Sequence, residues 1–181
     1  LTIDGGSLDV SGSNHGIILG GTWANNVDEA AFTERAGLVT FDGTGNVGIA
    51  GAGTGAETFS DLTINTTGGP ISASSDIAVS GDLTVTDGTL AFTSVDLTVD
   101  GATDVAAGAT LQTVTGGAQT YNGTVTNSGT ITTVGAAQFG DAAADTITNN
   151  GTGQITIGAG GATFLGATEN AGTITVSNSG L

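Results

Sequence analysis

The sequence predicts an all-β chain wound as a single-stranded parallel β-helix, or β-solenoid, right-handed and with about 21 residues per coil. Three observations predict this fold class. Short runs of Val, Ile, Leu and Ala are interleaved with Thr and Ser. Two short motifs recur at a spacing near that coil length. Turn residues separate the runs, and 33 of the 181 residues are Gly.

The first recurring motif is Leu-Thr followed by Ile or Val, and it begins at Leu1, Leu62, Leu83 and Leu97. Alternation along a strand places Leu and Ile or Val on one face and Thr on the other. Leu83 follows Leu62 after one coil length, whereas Leu97 follows Leu83 after only two thirds of that length. Such a short strand cannot bury its apolar face alone, so we expect coils to stack, with Leu62, Leu83 and Leu97 at stacking positions in the core.

The second motif is Asn-x-Gly-Thr, which begins at Asn127, Asn149 and Asn170, so that each copy follows the last after about one coil length. Asn tolerates the left-handed backbone region, and Gly supplies it without steric cost. We therefore predict that Asn127, Asn149 and Asn170 form a ladder of stacked turn residues. Three strands fit one coil of this length, and about nine coils fit the chain.

We predict one continuous solenoid over residues 1–181, either an excised portion or one subunit of a longer fibre. Segment 26–36 differs from the rest because it is the one charge-dense stretch of the sequence. We expect it to leave the coil as a loop or a short helix, with Asn26 or Asp28 as the cap.

The charge balance excludes several classes of function. Lys and Arg together number 1 against 17 acidic residues, which gives a net charge of −16. Such a chain cannot neutralise a nucleic-acid backbone, and it is repelled by an anionic membrane surface. No apolar run approaches the roughly 20 residues of a membrane-spanning helix. Cys is absent, which excludes zinc–thiolate sites and thiol catalysis.

Several stretches resemble a module of large bacterial surface and secreted proteins, namely the filamentous haemagglutinin-like and autotransporter passenger proteins. The stretches are residues 23–26, 31–33, 37–44, 59–65, 80–90 and 117–125. The resemblance implies a right-handed parallel β-helix, export, and a role in adhesion or in surface fibres and coats. It carries over no catalytic residue, since these proteins share no common active site.

A carbohydrate-active β-helix is the catalytic alternative. Glycoside hydrolysis needs carboxylates that lie close together, and Asp61, Asp82 and Asp96 each directly precede a Leu-Thr motif, where they are candidates to stack on one edge. Turn and strand-start positions explain these residues without catalysis, and Arg35 is the one residue available as a lyase base. His15 has no second His or Cys for a metal site. We therefore predict no enzyme activity and no catalytic residue.

We predict no cofactor. Calcium is the ion that 17 acidic residues favour, but the Gly-rich calcium-binding nonapeptide is not sustained. Ice binding is an alternative because Thr-x-Thr recurs, although β-propensity alone also favours Thr on exposed strands. The Thr-x-Thr pairs begin at Thr84, Thr113, Thr124, Thr130, Thr146 and Thr173.

The two ends of the sequence favour self-association. The chain begins in a Leu-Thr-Ile motif and stops soon after Val176, without a sequence typical of a solenoid cap. Uncapped strand edges are templates for further pairing. We therefore predict a structural, non-catalytic solenoid, extracellular or at the cell surface, that associates head to tail into filaments. Host-surface or polysaccharide contacts are further expected partners, and a stalk or passenger region of an adhesin is the alternative.

Overall fold

The structure is a computed structural model that describes residues 1–45, 47–51 and 55–177. Within these residues the chain forms 25 short β-strands and one 3₁₀ helix, Glu29–Ala31. In chain order the strands begin with β1 (Thr2–Ile3), β2 (Leu8–Asp9), β3 (Ile17–Leu19), β4 (Trp23–Asn25), β5 (Phe32–Thr33), β6 (Leu38–Phe41), β7 (Val47–Ala50), β8 (Glu57–Phe59), β9 (Asp61–Asn65), β10 (Ile71–Ala73), β11 (Ile77–Val79), β12 (Leu83–Asp87) and β13 (Thr89–Thr93). They continue with β14 (Leu97–Val99), β15 (Thr103–Val105), β16 (Thr110–Thr115), β17 (Gln119–Tyr121), β18 (Val125–Asn127), β19 (Thr130–Thr133), β20 (Ala137–Phe139), β21 (Thr146–Asn149), β22 (Gln154–Ile157), β23 (Ala162–Phe164), β24 (Ala167–Asn170) and β25 (Thr173–Val176).

Every third strand belongs to the same sheet, so one coil contributes one strand to each of three faces. Sheet 1 has nine strands in the order β1-β4-β7-β10-β13-β16-β19-β22-β25. Sheet 2 has six strands, β8-β11-β14-β17-β20-β23, and sheet 3 has eight, β3-β6-β9-β12-β15-β18-β21-β24. Neighbouring strands are parallel in each sheet. The predicted β-solenoid is confirmed, with about eight coils spaced by about 22 residues.

The core consists of columns of side chains that stack from one coil to the next. In sheet 3, Leu62 lies beside Leu83 and Ile64 beside Val85, and all four side chains are buried. Among the described residues, the longest column of buried aliphatic side chains lies in sheet 1 and consists of Val47, Ile71, Leu90, Leu111, Ile131 and Ile155. Burial of one such side chain contributes about 1.5–3 kcal/mol, so stacking of the coils is what stabilises the fold.

The stack is irregular on one face of the second and third coils. There, β2 and β5 pair with each other, and no pairing joins β5 to β8 among the described residues. The rings of Trp23, Phe32 and Phe59 fill this junction: Trp23 meets Phe32 edge-on at a centroid distance of 4.7 Å and Phe59 at 5.4 Å. Aromatic packing thus replaces backbone pairing at this point.

The charge-dense segment 26–36 lies at the same junction. It contains the 3₁₀ helix Glu29–Ala31, with Asp28 at the N-cap position but without a side-chain cap hydrogen bond. Phe32 and Thr33, which also belong to the segment, form β5. The segment is therefore part helix and part coil strand.

Candidate functional site

The three predicted Asn residues form a hydrogen-bonded ladder along sheet 3. Asn127 lies beside Asn149, and Asn149 lies beside Asn170, at the ends of β18, β21 and β24. The Asn127 amide donates to Asn149 Oδ1 at 2.8 Å, and the Asn149 amide donates to Asn170 Oδ1 at 2.7 Å. The side chains of Asn127 and Asn149 are completely buried. The ladder therefore belongs to the core and occupies strand ends instead of surface turns.

The ladder has a direction, because each amide donates toward the next coil. At its start, Asn127 Oδ1 is buried and has no partner among the described residues. At its end, Asn170 is exposed and accepts from Asn149, and within the described chain its own amide donates to nothing. A further coil that offers an acceptor at this position would lengthen the ladder.

The predicted stacking Leu residues divide between two sheets. Leu62 and Leu83 are direct neighbours in sheet 3. Leu97 is equally buried but lies in sheet 2, between Ile77 and Gln119. The shorter step from Leu83 to Leu97 therefore carries the chain from one sheet to another and does not complete a coil.

The three Asp residues considered as catalytic candidates do not share one edge. Asp61 and Asp82 lie where the chain enters sheet 3, and the Asp82 N–H donates to Asp61 Oδ1 at 2.8 Å. Asp96 lies where the chain enters sheet 2, and its N–H donates to Asp76 Oδ1 at 2.8 Å. The Asp82 and Asp96 carboxylates each accept an N–H from the following coil. Each carboxylate thus satisfies a backbone donor at a coil corner.

Glu57 is a polar core position that the sequence reasoning missed. Its side chain is 1% exposed, the Trp23 indole N–H donates to Oε1 at 2.8 Å, and the Asn25 amide donates to Oε2 at 3.2 Å. Burial raises the pKa of Glu57; these two hydrogen bonds oppose the shift, and the carboxylates of Glu29 and Glu34 add to it. The signal was present, because Glu57 lies two residues before Phe59 and strand alternation places both side chains on the same inward face.

Two further polar residues lie on the surface. His15 is exposed and directly follows the turn at residues 11–14. The Arg35 guanidinium makes two hydrogen bonds to the Asp9 carboxylate, at 2.5 and 2.7 Å. Mainly through that contact, the pKa of Asp9 falls to about 2. The one Arg of the protein, which has no Lys, is thus held in an exposed ion pair.

Among the described residues, the last strand of sheet 3, β24, has a neighbouring strand on one side only, and we call its other side the open edge. All four residues of β24 are exposed. The backbone N–H groups of Ala167 and Ala171 donate back to the preceding coil at 2.9 and 2.8 Å. Backbone groups alternate in direction along a parallel strand, so the N–H and C=O groups of Thr168 and Asn170 point toward the open side.

The core columns also reach this end of the solenoid. Phe164 stacks on Phe139 with ring centroids 4.8 Å apart and an interplanar angle of 8°, yet it remains partly exposed. Ile174 continues the aliphatic column of sheet 1 and is partly buried, and Val176 is 67% exposed. Within residues 1–45, 47–51 and 55–177, this end therefore has both unpaired backbone groups and partly uncovered apolar side chains.

Within residues 1–45, 47–51 and 55–177, no three His, Cys, Asp or Glu side chains are grouped so as to hold a metal ion. The same residues include no helix of the length and hydropathy needed to span a membrane. The arrangement that stands out chemically is therefore the open edge with its Asn ladder.

Comparison of the chain with protein-family models, with curated proteins and with solved structures yields no match. The resemblance to filamentous haemagglutinin-like and autotransporter passenger proteins accordingly stays a prediction, and the parallel β-solenoid fold is its one structural support.

Proposed function

We propose that this chain is a structural, non-catalytic β-solenoid of the cell surface or extracellular space whose copies associate head to tail. The observation that carries the proposal is the open edge at β24, whose four residues are all exposed. A parallel coil added there would pair the free backbone groups of Thr168 and Asn170. The part of that coil over β23 would cover the uncovered face of Phe164. The surface location rests on the resemblance of the sequence to exported solenoids.

The opposite end of the molecule offers a matching strand. β3 (Ile17–Leu19) is the first strand of sheet 3 and pairs with β6 on one side. Its inward residues Ile17 and Leu19 are partly exposed. Addition of β3 from one copy to β24 of another is a heterologous contact, which generates an open filament. The net charge of −16 opposes side-by-side contact of the rods and leaves the ends to associate.

The number of strands determines how two copies fit together. Sheet 1 has nine strands and sheet 3 has eight, so with β3 placed on β24, β25 of one copy and β1 of the next occupy the same place. β25 pairs with β22 over four residues, whereas β1 pairs with β4 over two. We infer that β25 replaces β1 at the junction, since the longer strand retains more backbone pairing.

A Pro substitution at the open edge tests the proposal. Thr168→Pro removes the N–H that faces the open side and obstructs an added strand. We expect wild-type protein to form rods that lengthen with concentration in electron microscopy and analytical ultracentrifugation, and Thr168→Pro to remain at the 17.3 kDa of one chain. Thr168→Val, which keeps the N–H and the branched side chain, is the control and should assemble.

Thr168→Lys is a second variant without a backbone constraint, because an added coil would have to bury its charge. Circular dichroism before and after heating checks that each variant is folded. Wild-type protein that remains a single chain at every concentration would contradict the proposal and favour the stalk of an adhesin. Assembly of both Thr168→Pro and Thr168→Lys at wild-type concentrations would contradict it as well.

A further inference from the structure

The outer surface of sheet 1 carries two rows of side chains over its last five strands, which we call the threonine face. The first row is Thr89, Thr110, Thr130, Gln154 and Thr173, and the second is Ala91, Gln112, Thr132, Thr156 and Thr175. Seven of these ten residues are Thr. The pairing is in register, so the rows form a regular array with spacings of about 4.8 Å between strands and about 6.7 Å along each strand.

The hydroxyl groups of the threonine face are available to a ligand. None of its seven Thr side chains donates or accepts a hydrogen bond within the part of the chain that the structure describes. Thr173 and Thr175 are exposed, and the other five are partly exposed. Each of these seven Thr side chains therefore has one hydroxyl group and one methyl group on the outer surface of the sheet.

Charge and the number of outward rows together distinguish this face from the other two. The chain has 17 acidic residues, yet the nine strands of sheet 1 contain no charged residue. In sheet 3 the outward rows are interrupted by Asp61, Asp104 and Glu169. Strands of sheet 2 have three residues each, so they present a single outward row. Sheet 1 alone combines two outward rows with an uncharged surface over these strands.

The geometry points to a second function: the threonine face binds the surface of ice. An ionic side chain holds its own hydration shell and disturbs the water around it, whereas hydroxyl and methyl groups at fixed spacing order water without a charge. The rigid backbone pairing of a parallel sheet keeps that spacing over five coils. The uncharged face matches an uncharged occupant, and this activity does not depend on filament formation.

The experiment compares charge substitutions on two faces. Thr132 and Thr156 are neighbours on the threonine face, and Thr63 and Thr84 are neighbours on the outer surface of sheet 3. Wild-type protein should show thermal hysteresis and should concentrate in the ice when a dilute solution is slowly frozen. The double variant Thr132→Lys/Thr156→Lys should lose both effects, and Thr63→Lys/Thr84→Lys should retain them.

Thermal unfolding of both double variants checks that each remains folded. A second pair, Thr132→Val/Thr156→Val, removes hydroxyl groups while preserving β-propensity, and it should weaken retention in ice. Wild-type protein that is excluded from ice would overturn the inference, even if it were retained on a neutral polysaccharide such as cellulose. Equal loss of activity from substitutions on both faces would also overturn it.

Discussion

A buried carboxylate without a cation is unfavourable at neutral pH, and Glu57 is such a group. Its charge is stabilised by two hydrogen bonds, from Trp23 and Asn25, instead of by an ion pair. Loss of hydration outweighs these hydrogen bonds, so its pKa is raised. Asp9 shows the opposite case, since it is exposed and the Arg35 guanidinium lowers its pKa. Burial of Glu57 and the Arg35 contact of Asp9 therefore shift the two carboxyl pKa values in opposite directions.

The raised pKa of Glu57 predicts that acid stabilises the fold within a limited range. An unfolded Glu titrates near pH 4.3, so as the pH falls from 7 the native state binds this proton before the unfolded state does. The stabilisation grows until the pH reaches about 4.3 and then stops. Glu57→Gln cannot bind that proton. The free energy of unfolding of Glu57→Gln, minus that of wild type, should therefore be larger at pH 7 than at pH 4.5, which means that the variant is relatively more stable at pH 7.

Urea denaturation at these two pH values measures the difference. Asp104→Asn is the control, because Asp104 is exposed on sheet 3, and it should shift wild-type stability by about the same amount at both pH values. The measurement stays above pH 4 because Asp9 and Asp145, whose pKa values are lowered, destabilise the fold at more acidic pH. A gap between Glu57→Gln and wild type that did not change with pH would contradict the prediction.

At the scale of the strands, the Asn ladder joins three successive coils through their side chains. Asn149 is its central member, because its Oδ1 accepts from the Asn127 amide and its own amide donates to Asn170 Oδ1. The Asn149 amide nitrogen also lies 3.2 Å from the carbonyl oxygens of Gly153 and Thr173. An aliphatic side chain of similar size could pack in the same column, but it would leave those neighbours without their partner.

Asn149→Leu should therefore lower the free energy of unfolding by about 1–3 kcal/mol. Asn170→Leu should cost less, because Asn170 is exposed and water replaces its lost partner. Urea denaturation of both variants, at a concentration where the protein is a single chain, makes the comparison. Equal losses for the two variants would show that the buried ladder contributes no more than an exposed amide.

Strand alternation and the recurrence of the Asn motif at one coil length were enough to predict a stacked parallel solenoid and the Asn residues of its ladder. The Leu-Thr motif kept that spacing only from Leu62 to Leu83. The lengths of the turns between strands were harder to predict, and these lengths determine which residues become neighbours in the stack. The Asn-x-Gly-Thr motif that begins at Asn149 contains Gly151, but a Cβ on Gly151 would have open space around it. A Cβ on Gly153, two residues later, would lie 2.3 Å from Asn149 Oδ1, so Gly153 is the glycine packed against the ladder. The placement of Leu97 in sheet 2 and of Glu57 in the core likewise depends on connections between strands.

At the scale of the whole molecule, the proposed filament depends on a shared register of rows in sheet 1. Thr175 lies beside Thr156, and the outward row continues through successive strands to Gly48. Trp23 pairs with Ile49, which places Thr22 in that same row. If β25 replaces β1 at the junction, Thr175 of one copy lies over Thr22 of the next.

Engineered disulfides test this register directly, because the chain has no Cys. Adjacent parallel strands lie about 4.8 Å apart, within the range of about 4.4–6.8 Å that a disulfide spans between Cα atoms. The double variant Thr22→Cys/Thr175→Cys should therefore form covalent multimers when its filaments are oxidised, visible as a ladder on a non-reducing gel. Thr22→Cys/Thr156→Cys should not, since β25 lies between these positions at the junction. Filaments without a ladder would keep the head-to-tail function but reject the replacement of β1, whereas ladders from both variants would show that the cross-linking is unspecific.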